Sequence, residues 1–444
     1  MRVLKFGGTS VGDAARIVAV CDIVASKIAD DSCIVVVSAA AKMTDLLLRA
    51  GRAAAEGRDE LETITTRVRQ LTQALSLEDS VVVEPLNQLA KVLAEVRVLG
   101  RCSDEHFDSI AATGERVSAR LVSAALCARG TPARAIDADH AGMITDERFG
   151  AAEPLPESDE LLRHALAKPQ GYVAVVTGFL GRTRDGRTTT LGRGGSDYSA
   201  AIIGAAVGAD EIEIWTDVDG VMTADPRVEP EAVTIASLSF GEAAELAYFG
   251  AKVLHPKTIH PAIRQSIPVR VLNTFAPTRP GTVITQAGAI VDPSHPARAI
   301  AAKKNITVVQ VVSSRMLLAD GFLAKIFEVF ARYRIVVDMV ATSEVSVSLT
   351  VDREDHLGAA CDELRAIGEV HVQRGRALVA VVGLGVGATV GIAGRVFSAL
   401  ARARVNIELI SAGSGRTNMS MVVSELDADR AVRALHHALF AESA

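Results

Sequence analysis

Aromatic residues are scarce, at 4% of the chain with a single tryptophan, Trp215. An interior with so few rings must be filled by aliphatic side chains and alanine, and the 49% of hydrophobic residues supplies them. Cysteine is scarce too. Cys21, Cys33, Cys102, Cys127 and Cys361 are far apart, odd in number and without a CxxC pair, which argues against a disulfide framework and favours the cytosol. The ten histidines are dispersed, with no HExxH and no Cys/His cluster, so no metal-binding residues are expected. No apolar run reaches membrane-spanning length, and the chain opens directly on a strand, so no signal peptide is expected. An excess of positive charge is also lacking: 47 Lys and Arg against 53 Asp and Glu leave a net charge of −6, so no basic field invites nucleic acid.

With 444 residues the chain is too long for one ordinary core, and two or three domains are expected. Its first part alternates strand-like runs (3–6, 33–38, 133–136, 172–177, 211–216 and 269–272) with helical patterns such as 14–29, 44–55 and 110–128. That alternation predicts a largely parallel sheet covered on both faces. Residues 60–99 read as a helical insertion of structural purpose. After Thr282 the composition changes, and Asp292-Pro293-Ser294-His295-Pro296 reads as a linker. Two similar units follow. The first runs through a strand at 306–312, a loop with Asp320-Gly321-Phe322, a helix to Tyr333, and strands at 335–338 and 345–351. The second repeats that order with 378–382, a glycine loop 383–387, a helix 392–403, and strands at 405–407 and 419–423. Repetition on this scale is an architectural signal.

Two glycine loops carry the chemistry. Gly192-Arg193-Gly194-Gly195-Ser196-Asp197 follows an apolar run and a hairpin-like segment, and opens onto a small-residue helix predicted at 198–208. Glycines let backbone approach a ligand closely, and a helix start aims free N–H groups at an anion. Gly7-Gly8-Thr9-Ser10-Val11-Gly12 follows the first strand, with Lys5 at its C-terminal end, the edge where open α/β sheets bind ligands. Neither loop matches GxxxxGK[ST], and the HRD and DFG motifs are missing, which excludes a P-loop or a eukaryotic-type protein kinase.

The ordered set of motifs resembles the aspartate kinase (aspartokinase) family across essentially the whole chain. Its opening Lys5-Phe6-Gly7-Gly8-Thr9-Ser10-Val11 is followed by Gly114-Glu115-Arg116, by 188–197, by Trp215-Thr216-Asp217-Val218-Asp219-Gly220, by Asp225-Pro226-Arg227 and by 249–256. The resemblance implies an α/β amino acid kinase fold, a mainly parallel sheet sandwiched by helices, followed by two α+β ACT domains. The expected limits are 1–285 for the catalytic domain, 286–303 for a linker and strand, 304–373 for the first ACT domain and 374–444 for the second. At this length a monofunctional enzyme, without a fused homoserine dehydrogenase, is expected. The implied reaction moves a phosphoryl group from MgATP to L-aspartate, giving 4-phospho-L-aspartate. It is the first step towards lysine, threonine and methionine. The magnesium arrives with the nucleotide.

The same resemblance assigns roles. Lys5, Asp197 and Lys252 are the expected catalytic set. Lys5 contacts the transferring group, Asp197 keeps nearby lysines protonated and oriented, and Lys252 is a second cation on the phosphates. Arg193 holds the substrate α-carboxylate through its planar fork. Glu115 takes the α-ammonium, and Ser38, Thr44 and Gly194 line the aspartate pocket, which Gly178 and Phe179 help to shape. Gly7, Gly8 and Ser10 donate to phosphates, while Thr216, Asp217, Asp219 and Arg227 lie on the nucleotide side. Plainer readings stay open: a helix-cap aspartate at 197, a helix-surface carboxylate at 115 and a structural His255. Met222 stands where many relatives carry tyrosine.

For regulation, Met316, Gly321, Phe322, Leu323, Val337, Asp338, Thr342, Ser343 and Glu344 resemble the effector site of the lysine-sensitive subclass. Ala319 replaces a hydroxyl residue found in some members, so lysine, threonine and no effector all stay open. ACT pairing implies a homodimer or a dimer of dimers. Two other readings are an amino-acid sensor with a vestigial kinase half and a kinase for glutamate or acetylglutamate.

Overall fold

The structure, a computed structural model, describes residues 1–29, 31–167, 171–249, 256–288, 296–316, 320–412 and 417–441. They form two compact units. The first comprises Met1–Val221, Ala236–Phe240 and Val253–Gly288; the second comprises Met222–Ile235, Gly241–Lys252 and Ala289–Ala444.

In the first unit the strands of one sheet are β1 (Arg2–Phe6), β2 (Cys33–Val37), β3 (Ala133–Ile136) and β4 (Val173–Thr177), then β7 (Glu211–Thr216), β8 (Ser237–Ser239), β9 (Val269–Asn273) and β10 (Thr282–Thr285). β5 (Leu180–Arg182) and β6 (Thr188–Thr190) make a separate hairpin. The sheet order is β3-β4-β2-β1-β7-β9-β10-β8, and every pairing in it is parallel except β9 with β10. β2 and β4 are buried at every residue. Such unbroken apolar runs belong to strands covered on both faces.

The tryptophan has a specific place. Trp215 stacks on Phe6, with ring centroids 6.0 Å apart, and its indole N–H donates to the buried Glu213 at 2.9 Å. Lys27 pairs with the same carboxylate at 2.6 Å, so the charge under the sheet is satisfied rather than stranded. The carbonyl of Trp215 accepts the N–H of Gly7 at 3.1 Å, which ties the first glycine loop to the end of β7.

The second unit holds β11 (Ala299–Val312), β12 (Val340–Thr342), β13 (Ser346–Val351), β14 (Glu369–Val382), β15 (Leu409–Ala412) and β16 (Asn418–Ser424) in the order β12-β13-β11-β14-β16-β15. The two long strands β11 and β14 pair from end to end, with register shifts between Lys303 and Val308. Each serves both repeats, so two ACT-like units share one sheet. Residues 335–338 and 405–407, expected as strands, are not; the strands start later, at Val340 and Leu409. The cause is the same in both repeats. Arg334 and Arg404 adopt a left-handed φ of 55° after their helices. Ile335 and Val405 then donate back to Phe330 and Leu400 at 2.9 Å, a helix C-cap that uses the next apolar residues as its cover. Segments from the middle of the chain belong here as well: Ala224 and Ala232 sit in the core of the second repeat, and Thr223 shares a 2.9 Å hydrogen bond with His436. Among the described residues no helix is long and apolar enough to cross a membrane.

Candidate functional site

The C-terminal ends of β1, β2, β4, β7 and β9 release their loops along one edge of the parallel sheet. There Lys5, Ser38, Thr44, Glu115, Phe179, Gly192, Gly194, Gly195, Ser196 and Asp197 line a cavity of about 240 Å³. Seven residues expected at the site from sequence thus meet in one place: Lys5, Ser38, Thr44, Glu115, Phe179, Gly194 and Asp197.

The helix Gly195–Val207 begins three residues earlier than its apolar pattern predicts, because Gly194 caps it at φ 71°. A side chain there would be strained. The early start puts Asp197 inside the first turn and turns its carboxylate towards β1. Lys5 Nζ lies 2.5 Å from Asp197 Oδ1, with both side chains mostly buried. Among the described residues that oxygen has no well-aligned hydrogen bond, so the contact is a charge pair, and Lys5 also lines the cavity.

Glu115 sits in the middle of the helix Asp104–Ala128 and is buried. Its Oε1 accepts the backbone N–H of Ala39 at 3.0 Å, while Oε2 is buried without a hydrogen-bond partner among the described residues. Burial pushes its carboxyl up to about 8, against the smaller lowering by backbone N–H groups and Lys5. An orphaned acceptor on a cavity wall calls for a cation. The reading of Glu115 as a surface carboxylate is thereby ruled out.

The Gly7–Gly12 loop packs against the loop after β2. A Cβ on Gly8 would stand 2.6 Å from the Ala39 carbonyl, while the Ala41 N–H donates to Gly8 O at 2.9 Å. A side chain at Gly8 would therefore have to force the two loops apart. Gly7 lies beside Lys5, its Cβ position 3.6 Å from Nζ. Ser10 was expected to donate to phosphate, but it is buried with its groups engaged. Its N–H bonds Gly7 O at 2.9 Å, and its hydroxyl pairs with that of Thr274 at 2.8 Å. Ser10 therefore braces the loop against the end of β9.

Arg193 is exposed on the loop between the two lining residues Gly192 and Gly194. Asp217 is exposed beside Thr216, whose hydroxyl donates to it at 3.2 Å. Asp219 is held by Asn273 Nδ2 at 2.6 Å and by Arg279, partners that no motif announced. Arg227 belongs to the second unit, where it forks onto Asp225. Lys252 and His255 lie outside the described residues. Among the described residues Asp137, Asp139 and His140 have metal-like spacing, but Arg116 and Arg120 already pair with the two aspartates at 2.5 and 2.9 Å.

In the second unit the expected effector residues divide by exposure. Gly321 caps the helix Phe322–Arg332 at φ 73°. Leu323, Thr342, Ser343 and Glu344 are exposed, Met316 and Val337 are partly buried, and Phe322 belongs to the core. Asp338 is not a solvent-facing acid. Its side chain is 2% exposed, with Lys303 Nζ at 3.2 Å and the Tyr248 hydroxyl donating to it at 2.7 Å. Lys303 also pairs with Asp352 at 2.9 Å and lies over the Tyr248 ring.

The Amino acid kinase family model matches residues 1–273, and an ACT domain model matches 309–362 and 379–439. The chain is 38% identical over 454 residues to lysine-sensitive aspartokinase 3 of Escherichia coli K12, covering 99% of both. It is 38% identical over 458 residues to the chloroplastic aspartokinase 1 of Arabidopsis thaliana, covering 99% of this chain and 80% of the relative. Among solved structures, E. coli aspartokinase III in complex with aspartate and ADP (R-state) superposes with a TM-score of 0.83 at 36% identity, covering 99% of this chain and 100% of that one. The same enzyme in complex with lysine and aspartate (T-state) gives 0.78 at 37% identity, covering 99% of each chain.

Proposed function

The chain belongs to the amino acid kinase family and, within it, to the ATP-dependent aspartokinases, and from that premise we propose how its residues divide the work on L-aspartate. The observation that carries the reading is the meeting of an ion-paired lysine and a half-satisfied buried glutamate in one cavity. The substrate α-ammonium binds Glu115 Oε2. Its α-carboxylate meets Arg193, and Ser38 and Thr44 line the wall between. The side-chain carboxylate is ionised at neutral pH, so no base has to remove a proton. One of its oxygens forms the new bond to the γ-phosphorus as the bond from that phosphorus to the ADP oxygen breaks, giving 4-phospho-L-aspartate. The difficulty is bringing anions together, and cations answer it: Lys5 follows the moving phosphoryl group, and Asp197, paired with it at 2.5 Å, keeps it aimed. Lys252 and Arg227 are the further cations we assign to the phosphates, with Gly7, Gly8, Thr216, Asp217 and Asp219 framing the nucleotide. Magnesium comes as part of the MgATP substrate and keeps several waters.

The test is ADP formation that requires L-aspartate, with hydroxylamine trapping the acyl phosphate as a hydroxamate. Glutamate or acetylglutamate outcompeting aspartate in the same assay would reassign the substrate. Effector binding without MgATP binding would favour a sensor.

We further propose feedback inhibition by L-lysine, supported by the likeness to the lysine-sensitive enzyme and by the ACT repeats, and a homodimer formed through those repeats. An effector ammonium that reaches Asp338 must compete with Lys303 and Tyr248. Titrating lysine into the assay should lower the rate, and Asp338→Asn should weaken that inhibition by about tenfold. An unchanged rate with lysine, repeated with threonine, would remove the effector assignment, and light scattering would read the assembly.

A further inference from the structure

One buried acid in the first unit has no part in the chemistry above. Asp108 lies on the helix Asp104–Ala128, seven residues before Glu115. Seven residues are two turns, so both side chains leave one face of a rigid rod about 10 Å apart along its axis. Asp108 is 3% exposed. Its Oδ2 accepts the N–H groups of Gly150 and Thr190, each at 2.9 Å, and its Oδ1 accepts the Thr190 hydroxyl at 2.7 Å. Burial raises the carboxyl above its usual range, and these donors pull the other way.

Thr190 is the last residue before Leu191 and the substrate loop. Its carbonyl accepts from Ala152 N at 2.9 Å, and the N–H of Leu191 donates to Phe179 O at 3.0 Å. Three bonds from Thr190 and one from Leu191 thus fix where Gly192, Arg193 and Gly194 begin. Gly150, the other residue on Asp108, packs against that loop, its carbonyl 3.1 Å from the Cβ position of Gly192.

We propose that Asp108 is a positioning residue that sets the span between the ammonium site at Glu115 and the carboxylate site at the 192–194 loop. This rests on the aspartokinase reading above. One helix then carries the cation-binding group at one point and, two turns away, the anchor of the anion-binding loop. The spacing between the two ends of an amino acid is built into a single element. A carboxylate suits the anchor because only acceptor atoms face converging donors. An asparagine would turn its NH2 against one of them.

Asp108→Asn should raise KM for aspartate about tenfold to a hundredfold, the loss expected when a buried charged acceptor is removed, while KM for MgATP stays within about twofold. The preference for aspartate over glutamate should fall with it. Thr190→Val keeps the N–H bond and loses the hydroxyl, so a smaller rise of about threefold to tenfold in the same constant is expected. It also carries the test if Asp108→Asn does not fold. A lowered melting temperature with both KM values unchanged, or an equal rise in both, would overturn the positioning role. Wild-type turnover that ignores aspartate would instead sink the kinase reading, and this role with it.

Discussion

Lys5→Ala is expected to lower kcat by about a hundredfold to a thousandfold, the usual cost of losing one preorganised charge from a transition state. The ammonium is mostly buried and 2.5 Å from Asp197, so its field is little screened by water. Its removal does two things. It takes a cation from the cavity where the phosphoryl group crosses, and it leaves Asp197 as an uncompensated negative charge facing incoming phosphates. The effect should fall on kcat more than on KM for aspartate, because Glu115 and Arg193 hold the substrate at its other end. Lys5→Ala, Asp197→Ala and the double variant form a cycle whose coupling energy reads the pair directly. Steady-state ADP release measures all three. Turnover of Lys5→Ala close to the wild type would show that the phosphoryl group does not pass this lysine.

Glu115→Gln should raise KM for aspartate by about tenfold to a hundredfold, since a charged partner of the α-ammonium becomes a neutral one. It should also flatten the pH profile. Burial holds the carboxyl at about 8, so below that pH and before substrate binds Glu115 is largely protonated. An ammonium on its free oxygen favours the ionised form. Aspartate binding then releases a proton, and KM should fall as pH rises from 6 towards 8. The same shift acts on stability with the opposite sign to a salt-bridged acid. The folded state holds the proton that the unfolded chain gives up above the ordinary carboxyl value of about 4.5, so this group removes stability as pH rises from there to about 8. Calorimetry in buffers of different ionisation heat reads the released proton, and Glu115→Gln should abolish it. A wild-type KM that does not change across this range would show that Glu115 is not the ammonium partner.

The site was partly legible before any coordinates. Lys5 at a strand end, the Gly7–Gly8 turn and the 192–197 loop are local patterns, and each needs only a few neighbours to state its role. Asp108 escaped notice because its partners, Gly150 and Thr190, lie far along the chain; its one local signal, seven residues before Glu115 on the same helix, is shared by many surface acids. The hydroxyl partner of Ser10, Thr274, was not legible either, because it lies just past β9, far along the chain. The two misplaced strands, at 335–338 and 405–407, show the limit from the other side. Apolar alternation there reports burial, which a helix cap uses as well as a sheet does.

What the amino-acid sequence determined alone was the order of elements, the parallel α/β character of the first unit, the duplicated second unit and the glycine turns. These follow from side-chain periods and backbone freedom within a few residues. Only the tertiary structure decided which charges are left unsatisfied. Among the described residues it leaves one oxygen of Glu115 open, gives Asp197 a partner at Lys5 and fills Asp338 with Lys303 and Tyr248. The state of a charge depends on how much water the whole fold removes and on which distant group arrives in its place, and neither is written in the residues next to it.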